Sequence, residues 1–89
     1  AGQAALLTHT VPPLLGRFKD KDKYVRRSAA YALGNLGPSL AGQAALLTHT
    51  VQALLGRFKD KDGTVRRYAI RALGGLGPSL AGHSDLLTD

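Results

Sequence analysis

The residues whose types could carry out catalysis or hold a metal ion are few: three histidines, six aspartates and scattered serines. His9 and His49 lie 40 positions apart, and packed helices at a spacing of about 8–10 Å would keep them from sharing a metal ion. The aspartates at 20, 22, 60 and 62 are flanked by lysines. Lysines favour the charged carboxylate, whereas general acid catalysis needs a carboxyl group that holds its proton. These residue types predict neither a metal site nor an acid–base pair.

The remaining candidates for chemistry also favour structural roles. The chain has no cysteine, so no thiolate can bind zinc or an iron–sulfur cluster. Ser39, Ser79 and Ser84 have no base at a fixed spacing, and helix capping accounts for them. The glycines of Gly74-Gly75-x-Gly77 follow a predicted helix and do not open one, unlike those of a phosphate-binding loop. We therefore expect no enzyme activity and no cofactor.

The elements that must position these residues follow from an internal repeat. Residues 1–40 and 41–80 align without a gap and are identical at 32 of 40 positions, and residues 81–89 restart the same pattern. A period of 40 residues with helical apolar spacing is typical of solenoids built from helix pairs. The sequence therefore predicts an all-α fold, an α-solenoid of tandem helix pairs. Its first unit would span 1–40, its second unit 41–80 and a truncated third unit 81–89.

Each complete unit contains two apolar stripes at helical spacing. In the first unit these stripes are Leu7, Val11, Leu14, Leu15 and Phe18, then Val25, Ala29, Ala32, Leu33 and Leu36. Asp22 is placed to cap the second helix, and Gly37-Pro38 to end it. Pro12-Pro13 predicts a kink or a restart within the first helix. The matching helix of the second unit is expected to begin near Ser39.

One string of residues recurs in register in both units. In the first unit it reads Pro12…Asp20…Val25-Arg26…Ala29…Leu33-Gly34…Leu36-Gly37, and it returns from Asp60 to Gly77 without the proline. This string resembles the HEAT repeat, and most closely the short HEAT-like repeats also found in bilin lyases. The resemblance implies a scaffold whose first helices line the convex side of a superhelix and whose second helices line the concave side. It also implies a polar ladder between neighbouring repeats, formed by Asp20, Arg26, Asp60 and Arg66.

The two units differ at eight positions, and six of these lie in the second helix or at its entry. At about 100° per residue, four of the six share one face of that helix, away from its apolar stripe. These positions hold Tyr24, Ser28, Tyr31 and Asn35 in the first unit, and Thr64, Tyr68, Arg71 and Gly75 in the second. Variation confined to one face favours a recognition surface for a protein partner, made of residue types that are common in paratopes. Free drift of surface positions is the alternative explanation.

Positive charge is concentrated at the turn between the two helices of each unit. Residues 17–27 carry a net +4 and residues 57–67 a net +3, while the whole chain carries +6. Such a row can neutralise phosphates, which makes polyanion or nucleic-acid binding an alternative function. Its cations are Arg17, Lys19, Lys21, Lys23, Arg27, Arg57, Lys59, Lys61 and Arg67. The interleaved aspartates weaken this field, so a solvated turn is the competing interpretation.

Self-association is a third hypothesis, because about three repeats are usually needed to bury such apolar stripes. Head-to-tail stacking of copies would cover the two ends, giving a homo-oligomer in the form of a ring, a filament or a swapped dimer. The role would then be purely structural. No segment has the roughly 20 apolar residues of a membrane helix. The absence of cysteine and of a signal segment favours the cytoplasm.

Overall fold

The computed structural model describes residues 2–77, and over this range the chain is helical and contains no strand. Its α-helices are α1 (Gly2–Gly16), α2 (Lys23–Leu36), α3 (Ala44–Gly56) and α4 (Gly63–Gly75). Short 3₁₀ helices follow the first three of these, at Arg17–Lys19, Gly37–Leu40 and Arg57–Lys59. The all-α prediction is confirmed for these residues. Ser79, Ser84 and the segment 81–89 lie outside the described range.

Aspartates begin both of the helices that follow the charged turns. The side chain of Asp22 accepts a hydrogen bond from the amide of Tyr24 at 2.7 Å, as the cap of α2. The side chain of Asp62 accepts one from the amide of Val65 at 2.9 Å, as the cap of α4. Each carboxylate satisfies a backbone donor that has no partner within the helix, and its charge complements the helix dipole. The N-cap role predicted for Asp22 is therefore confirmed.

Two local predictions were wrong. Helix α1 runs without interruption through Pro12-Pro13, so the predicted restart is wrong, and the alternative of a kink stays a prediction. Both prolines are exposed, so the missing amide donors lie on the solvent side of the helix and not against the core. Helix α3 begins at Ala44 and not near Ser39, because Gly37–Leu40 forms a 3₁₀ helix and a turn with the poor helix former Gly42 follows it.

The four helices form two layers, with α1 beside α3 and α2 beside α4. The contact between α2 and α4 is the most extensive of those between helices, and each hairpin also packs its own two helices together. One apolar core joins the layers, and its fully buried members include Val11, Leu33, Leu40, Leu47, Leu54 and Leu76. Burial of these side chains, at about 1.5–3 kcal/mol each, is the main force that holds the two hairpins together.

Small residues let α2 and α4 approach closely. A Cβ atom on Gly34 would lie 3.3 Å from the Cβ of Ala72, and one on Gly37 would lie 3.1 Å from a methyl carbon of Leu76. The equivalent glycines of the second unit, Gly74 and Gly77, have no such neighbour within 4 Å among the described residues. The same sequence position is therefore closely packed in the first unit and open in the second.

The close approach at Gly34 can be tested with a matched pair of substitutions. Gly34→Val forces α2 and α4 apart, and we expect it to lower the free energy of unfolding by about 1–3 kcal/mol through overpacking. Gly74→Val places the same side chain where no atom of the described residues lies within 4 Å, so we expect a change within about 0.5 kcal/mol. Urea unfolding of dilute protein, followed by far-UV circular dichroism, measures both. Equal losses would show that the approach at Gly34 does not constrain the packing.

Candidate interaction surfaces

A buried arginine–aspartate pair connects the two units. Arg26 in α2 donates from Nε to Asp60 Oδ2 at 2.9 Å and from Nη2 to Asp60 Oδ1 at 3.2 Å. Its Nη1 donates to the carbonyl oxygens of Asp20 at 2.8 Å and Lys21 at 3.0 Å. The Arg26 side chain is 7% exposed and that of Asp60 is 3% exposed, so water screens this pair weakly. The fork geometry fixes the position of α2 relative to the turn before α4.

The ionisation of Asp60 follows from these contacts. Burial tends to raise its pKa, but the hydrogen bonds from Arg26 and from the amide of Asp62 outweigh burial and lower the pKa overall. The amide of Asp62 donates to Asp60 Oδ1 at 2.8 Å. A second arginine, Arg57, donates to Asp60 Oδ2 at 3.3 Å and to the carbonyl oxygen of Phe18 at 2.9 Å. Asp60 is therefore held as a carboxylate between two guanidinium groups.

A second pair between the units was not anticipated from the sequence. Arg27 donates from Nε to Asp62 Oδ2 and from Nη2 to Asp62 Oδ1, both at 2.9 Å. The hydrogen bond from Arg27 is the largest influence that lowers the pKa of Asp62. Sequence reasoning had placed Arg27 among the polyanion-binding cations. The sequence signal for this pair was its spacing. Arg27 directly follows Arg26, and Asp62, the N-cap of α4, follows Asp60 after one lysine.

Of the four residues assigned to a polar ladder, the structure brings only Arg26 and Asp60 together as an ion pair. Asp20 accepts a hydrogen bond from the amide of Asp22 at 2.8 Å, and Arg66 donates to the carbonyl oxygen of Asp60. Among residues 2–77, neither Asp20 nor Arg66 pairs with a side chain of opposite charge. Asp20 belongs to the first unit and Arg66 to the second.

Several of the positions that differ between the units lie along the junction of α2 and α4. Tyr31 and Tyr68 meet there, with ring centroids 6.0 Å apart and planes tilted by 57°. Two shallow grooves open on either side of this contact. One, of about 350 Å³, is lined by Tyr24, Arg27, Ser28, Tyr31 and Tyr68. The other, of about 160 Å³, has Asn35 and Arg71 in its wall beside the same two tyrosines.

The exposed rings are held in place by their neighbours. Tyr24 and Tyr31 are 61% and 59% exposed, whereas Tyr68 is half-buried. The guanidinium of Arg27 lies 4.7 Å from the centroid of the Tyr24 ring, and Lys23 Nζ lies 5.5 Å from it. Because Arg27 is fixed by Asp62, it orients Tyr24 through a cation–π contact. The last two predicted positions line neither groove. Thr64 is half-buried near the start of α4, and Gly75 is exposed at its end.

The basic turns of the two units face a common open groove. It has a volume of about 670 Å³, and Lys19, Lys21, Lys59 and Lys61 lie in its wall. Arg27 and Arg57 are already paired with aspartates. The other predicted cations form no ion pair within residues 2–77, namely Arg17, Lys19, Lys21, Lys23, Lys59, Lys61 and Arg67. The free positive charge is therefore carried mainly by lysines.

No group of three or more potential metal ligands occurs in the part of the chain that the structure describes. Within the same range, no helix has the length and apolar character to cross a membrane. The family model of the HEAT repeat matches residues 10–40, which confirms the resemblance over that stretch. HEAT repeats are typically scaffolds for protein interactions and not enzymes. No curated protein and no solved structure matches the chain.

The contribution of the buried pair can be measured with equivalent aspartates of the two units. Asp60→Asn keeps an acceptor for the amide of Asp62 but removes the charge that Arg26 faces. We expect the free energy of unfolding to fall by at least about 2 kcal/mol, because a buried guanidinium loses its partner. Asp20→Asn changes the same repeat position without an arginine opposite, and we expect less than about 0.5 kcal/mol. Similar losses in urea unfolding of the two variants would contradict this assignment.

Proposed function

Because the chain carries a HEAT repeat at residues 10–40, we propose that it is a segment of an α-solenoid with a period of 40 residues, a non-enzymatic scaffold. Residues 1–40 and 41–80 are its complete repeats, and residues 81–89 are the start of a third. Its function is to bind a protein partner along the junction of the second helices, α2 and α4.

The contact between the units supports the solenoid. Arg26 and Arg27 in one unit reach Asp60 and Asp62 in the next, so two adjacent arginines meet two aspartates of the following turn. The close packing of Gly34 on Ala72 joins the same pair of helices. Both units have the residues that make these contacts. A further repeat can therefore pack on either unit through the same arginine–aspartate pairs and the same glycine–alanine contact.

The contact of Tyr31 with Tyr68 is the observation that carries the binding proposal. Each tyrosine occurs in one unit only: the equivalent of Tyr31 is Arg71, and the equivalent of Tyr68 is Ser28. Because the units differ at these positions, Tyr31 and Tyr68 meet at the junction and form a shared aromatic floor that lines both grooves. Tyrosine provides a large contact area with little loss of side-chain freedom, and it is enriched among residues that dominate binding energy.

The charge of this surface points to a polar, acidic partner segment. Arg71 lies in the wall of the smaller groove and forms no ion pair within residues 2–77, whereas Arg27 is neutralised by Asp62. The grooves are open and shallow, so they suit a peptide or a protein surface better than an enclosed small molecule. We therefore expect a segment that places side chains beside the tyrosines and carboxylates near Arg71.

The binding proposal is tested by replacing both tyrosines of the shared floor. Peptides that bind the unmodified chain are first selected from a displayed random library and measured by fluorescence anisotropy. Tyr31→Ala combined with Tyr68→Ala is expected to weaken their affinity by at least about tenfold, since the aromatic anchors are lost. Far-UV circular dichroism should show unchanged helicity, because neither ring is fully buried.

The matched control combines Tyr31→Phe with Tyr68→Phe, which keeps both aromatic surfaces. We expect it to retain most of the affinity. Loss of binding by the phenylalanine variant as well as the alanine variant would assign the interaction to the hydroxyl groups, which both variants lack. An alanine variant that binds as tightly as the unmodified chain would reject the tyrosine grooves as the binding surface.

Polyanion binding is a second candidate, and the common groove of the basic turns is the observation that favours it. Four lysines from the two units line this groove beside Asp20 and Asp60, and none of the four forms an ion pair within residues 2–77. Phosphates placed there would release counterions, giving affinity that depends on salt and not on sequence. This surface lies on the turns and is separate from the tyrosines.

The lysine groove predicts a specific salt dependence. Affinity for a DNA duplex of arbitrary sequence should fall about a hundredfold between about 50 mM and about 200 mM salt, as expected for about four phosphate contacts. Lys21→Ala combined with Lys61→Ala should reduce the slope by about two contacts. Arg71→Ala removes an exposed cation outside this groove and should leave most of the slope. Binding that is insensitive to salt would reject this candidate.

Self-association is the third part of the proposal. Each end of the described structure exposes side chains whose counterparts are buried between the units. A ring or a filament of copies would then be the structural role of the chain.

A further inference from the structure

The junction between the units has two sides, and each side has a copy at an outer end of the molecule. In the first unit, Phe18, Arg26, Arg27 and Ala30 lie at the junction, and Leu15 is partly buried against the core. The copies of these residues in the second unit, which we call the donor end, are Leu55, Phe58, Arg66, Arg67 and Ile70. In the second unit, Asp60 and Asp62 pair with Arg26 and Arg27, and Thr50, Leu54 and Val65 are fully buried. The copies of these in the first unit, which we call the acceptor end, are Thr10, Leu14, Asp20, Asp22 and Val25.

At the donor end, the loss of a neighbour is visible in the exposure of each apolar position. Phe18 is 4% exposed, while its copy Phe58 is 41% exposed. Ala30 is fully buried, while its copy Ile70 is 58% exposed. Leu55 is likewise half exposed, at 50%. The donor end therefore presents a phenylalanine, an isoleucine and a leucine to solvent, beside two arginines.

The acceptor end shows the complementary loss. Thr50 is fully buried, while its copy Thr10 is exposed. Val65 is fully buried, while its copy Val25 is only partly buried. Together, the two ends repeat the two sides of a contact that this chain already forms once.

The charges of the two ends are also complementary. At the donor end Arg66 and Arg67 lack an acidic partner within residues 2–77, and at the acceptor end Asp20 and Asp22 lack a basic one. Inside the chain the same positions form two bidentate pairs at 2.9–3.2 Å. A junction between copies in the same register would place Arg66 against Asp20 and Arg67 against Asp22.

The side-chain sizes fit the same register. Inside the chain, the small Ala30 and the large Tyr68 line one groove. At a junction between copies the equivalent positions are Ile70 and Ser28, so the large and the small side chain exchange sides. The close approach of Gly34 to Ala72 is reproduced by Gly74 and Ala32, which are again small.

We propose that a second copy of this chain binds head to tail, with the donor end of one copy on the acceptor end of the next, in the register of the internal junction. The inference rests on the self-association in the proposed function and specifies its contacts. Residues 81–89 correspond to positions 1–9 of the unit, so none of them occupies the repeat position of Asp20, Asp22 or Val25. A second copy presents all of these positions at once.

The test blocks one end at a time and then mixes the two variants. Arg67→Glu with Ile70→Glu blocks the donor end with exposed substitutions. Thr10→Arg with Asp22→Ser blocks the acceptor end, and serine at position 22 can still cap α2. In sedimentation velocity the unmodified chain should gain mass as concentration rises, and each blocked variant should associate at least about tenfold more weakly. An equimolar mixture should form a one-to-one dimer and nothing larger, because a single open donor end and a single open acceptor end remain.

The controls place the same kinds of side chain at positions that are exposed in both units. His9→Arg lies next to Thr10, and Gln52→Glu adds an acidic side chain to α3. Both should associate like the unmodified chain. A monomer at every concentration would overturn the proposal. Association that the mixture of blocked variants fails to restore would also overturn it.

The outcome is separable from that of partner binding. Both blocked variants keep Tyr31 and Tyr68, so they can be assayed with the selected peptides. If the unmodified chain stays monomeric while the blocked variants bind these peptides, the head-to-tail inference fails and the binding proposal stands. If the peptides do not bind while the mixed variants form dimers, the tyrosine grooves fail and the inference stands.

Discussion

The arrangement of this chain depends on a buried charge pair that has to be satisfied from several directions. Arg26 uses three of its nitrogens at once, for the carboxylate of Asp60 and for two carbonyl oxygens of the preceding turn. Removing two charges from water is costly, and the cost is offset only when hydrogen bonds are complete. Small displacements of one hairpin against the other would leave a buried donor without an acceptor. The pair therefore selects one register among the many that apolar stripes alone would allow.

Much of the fold could be predicted from the sequence, because apolar spacing and helix-capping residues act locally. Asp22 caps α2 as its position indicated, and the HEAT repeat resemblance is confirmed over residues 10–40. The continuity of α1 through Pro12-Pro13 could not be predicted, since it depends on which side of the helix faces solvent. The pairing of Arg27 with Asp62 and the contact of Tyr31 with Tyr68 depend on how two hairpins pack. Such distances are set by tertiary structure, and a single sequence contains them only indirectly.

The differences between the two nearly identical units determine which side chains meet at their junction. A perfect copy would place the same side chains on both second helices, whereas here an aromatic side chain from each helix meets its counterpart across the boundary. The neighbouring Arg27 serves both the ion pair and the orientation of Tyr24, so the surface is fixed by the same contacts that join the units. Rigid presentation of aromatic side chains reduces the entropy lost when a partner binds.

The double role of Asp62 has a consequence for cooperativity. Its carboxylate caps α4 by accepting a hydrogen bond from the amide of Val65, and it also accepts hydrogen bonds from Nε and Nη2 of Arg27 in the other hairpin. Fraying of the first turn of α4 would release the guanidinium, and separation of the hairpins would weaken that turn. Opening of the first turn of α4 and separation of the two hairpins are therefore coupled at this carboxylate, so the start of the helix and the contact between the units stabilise each other.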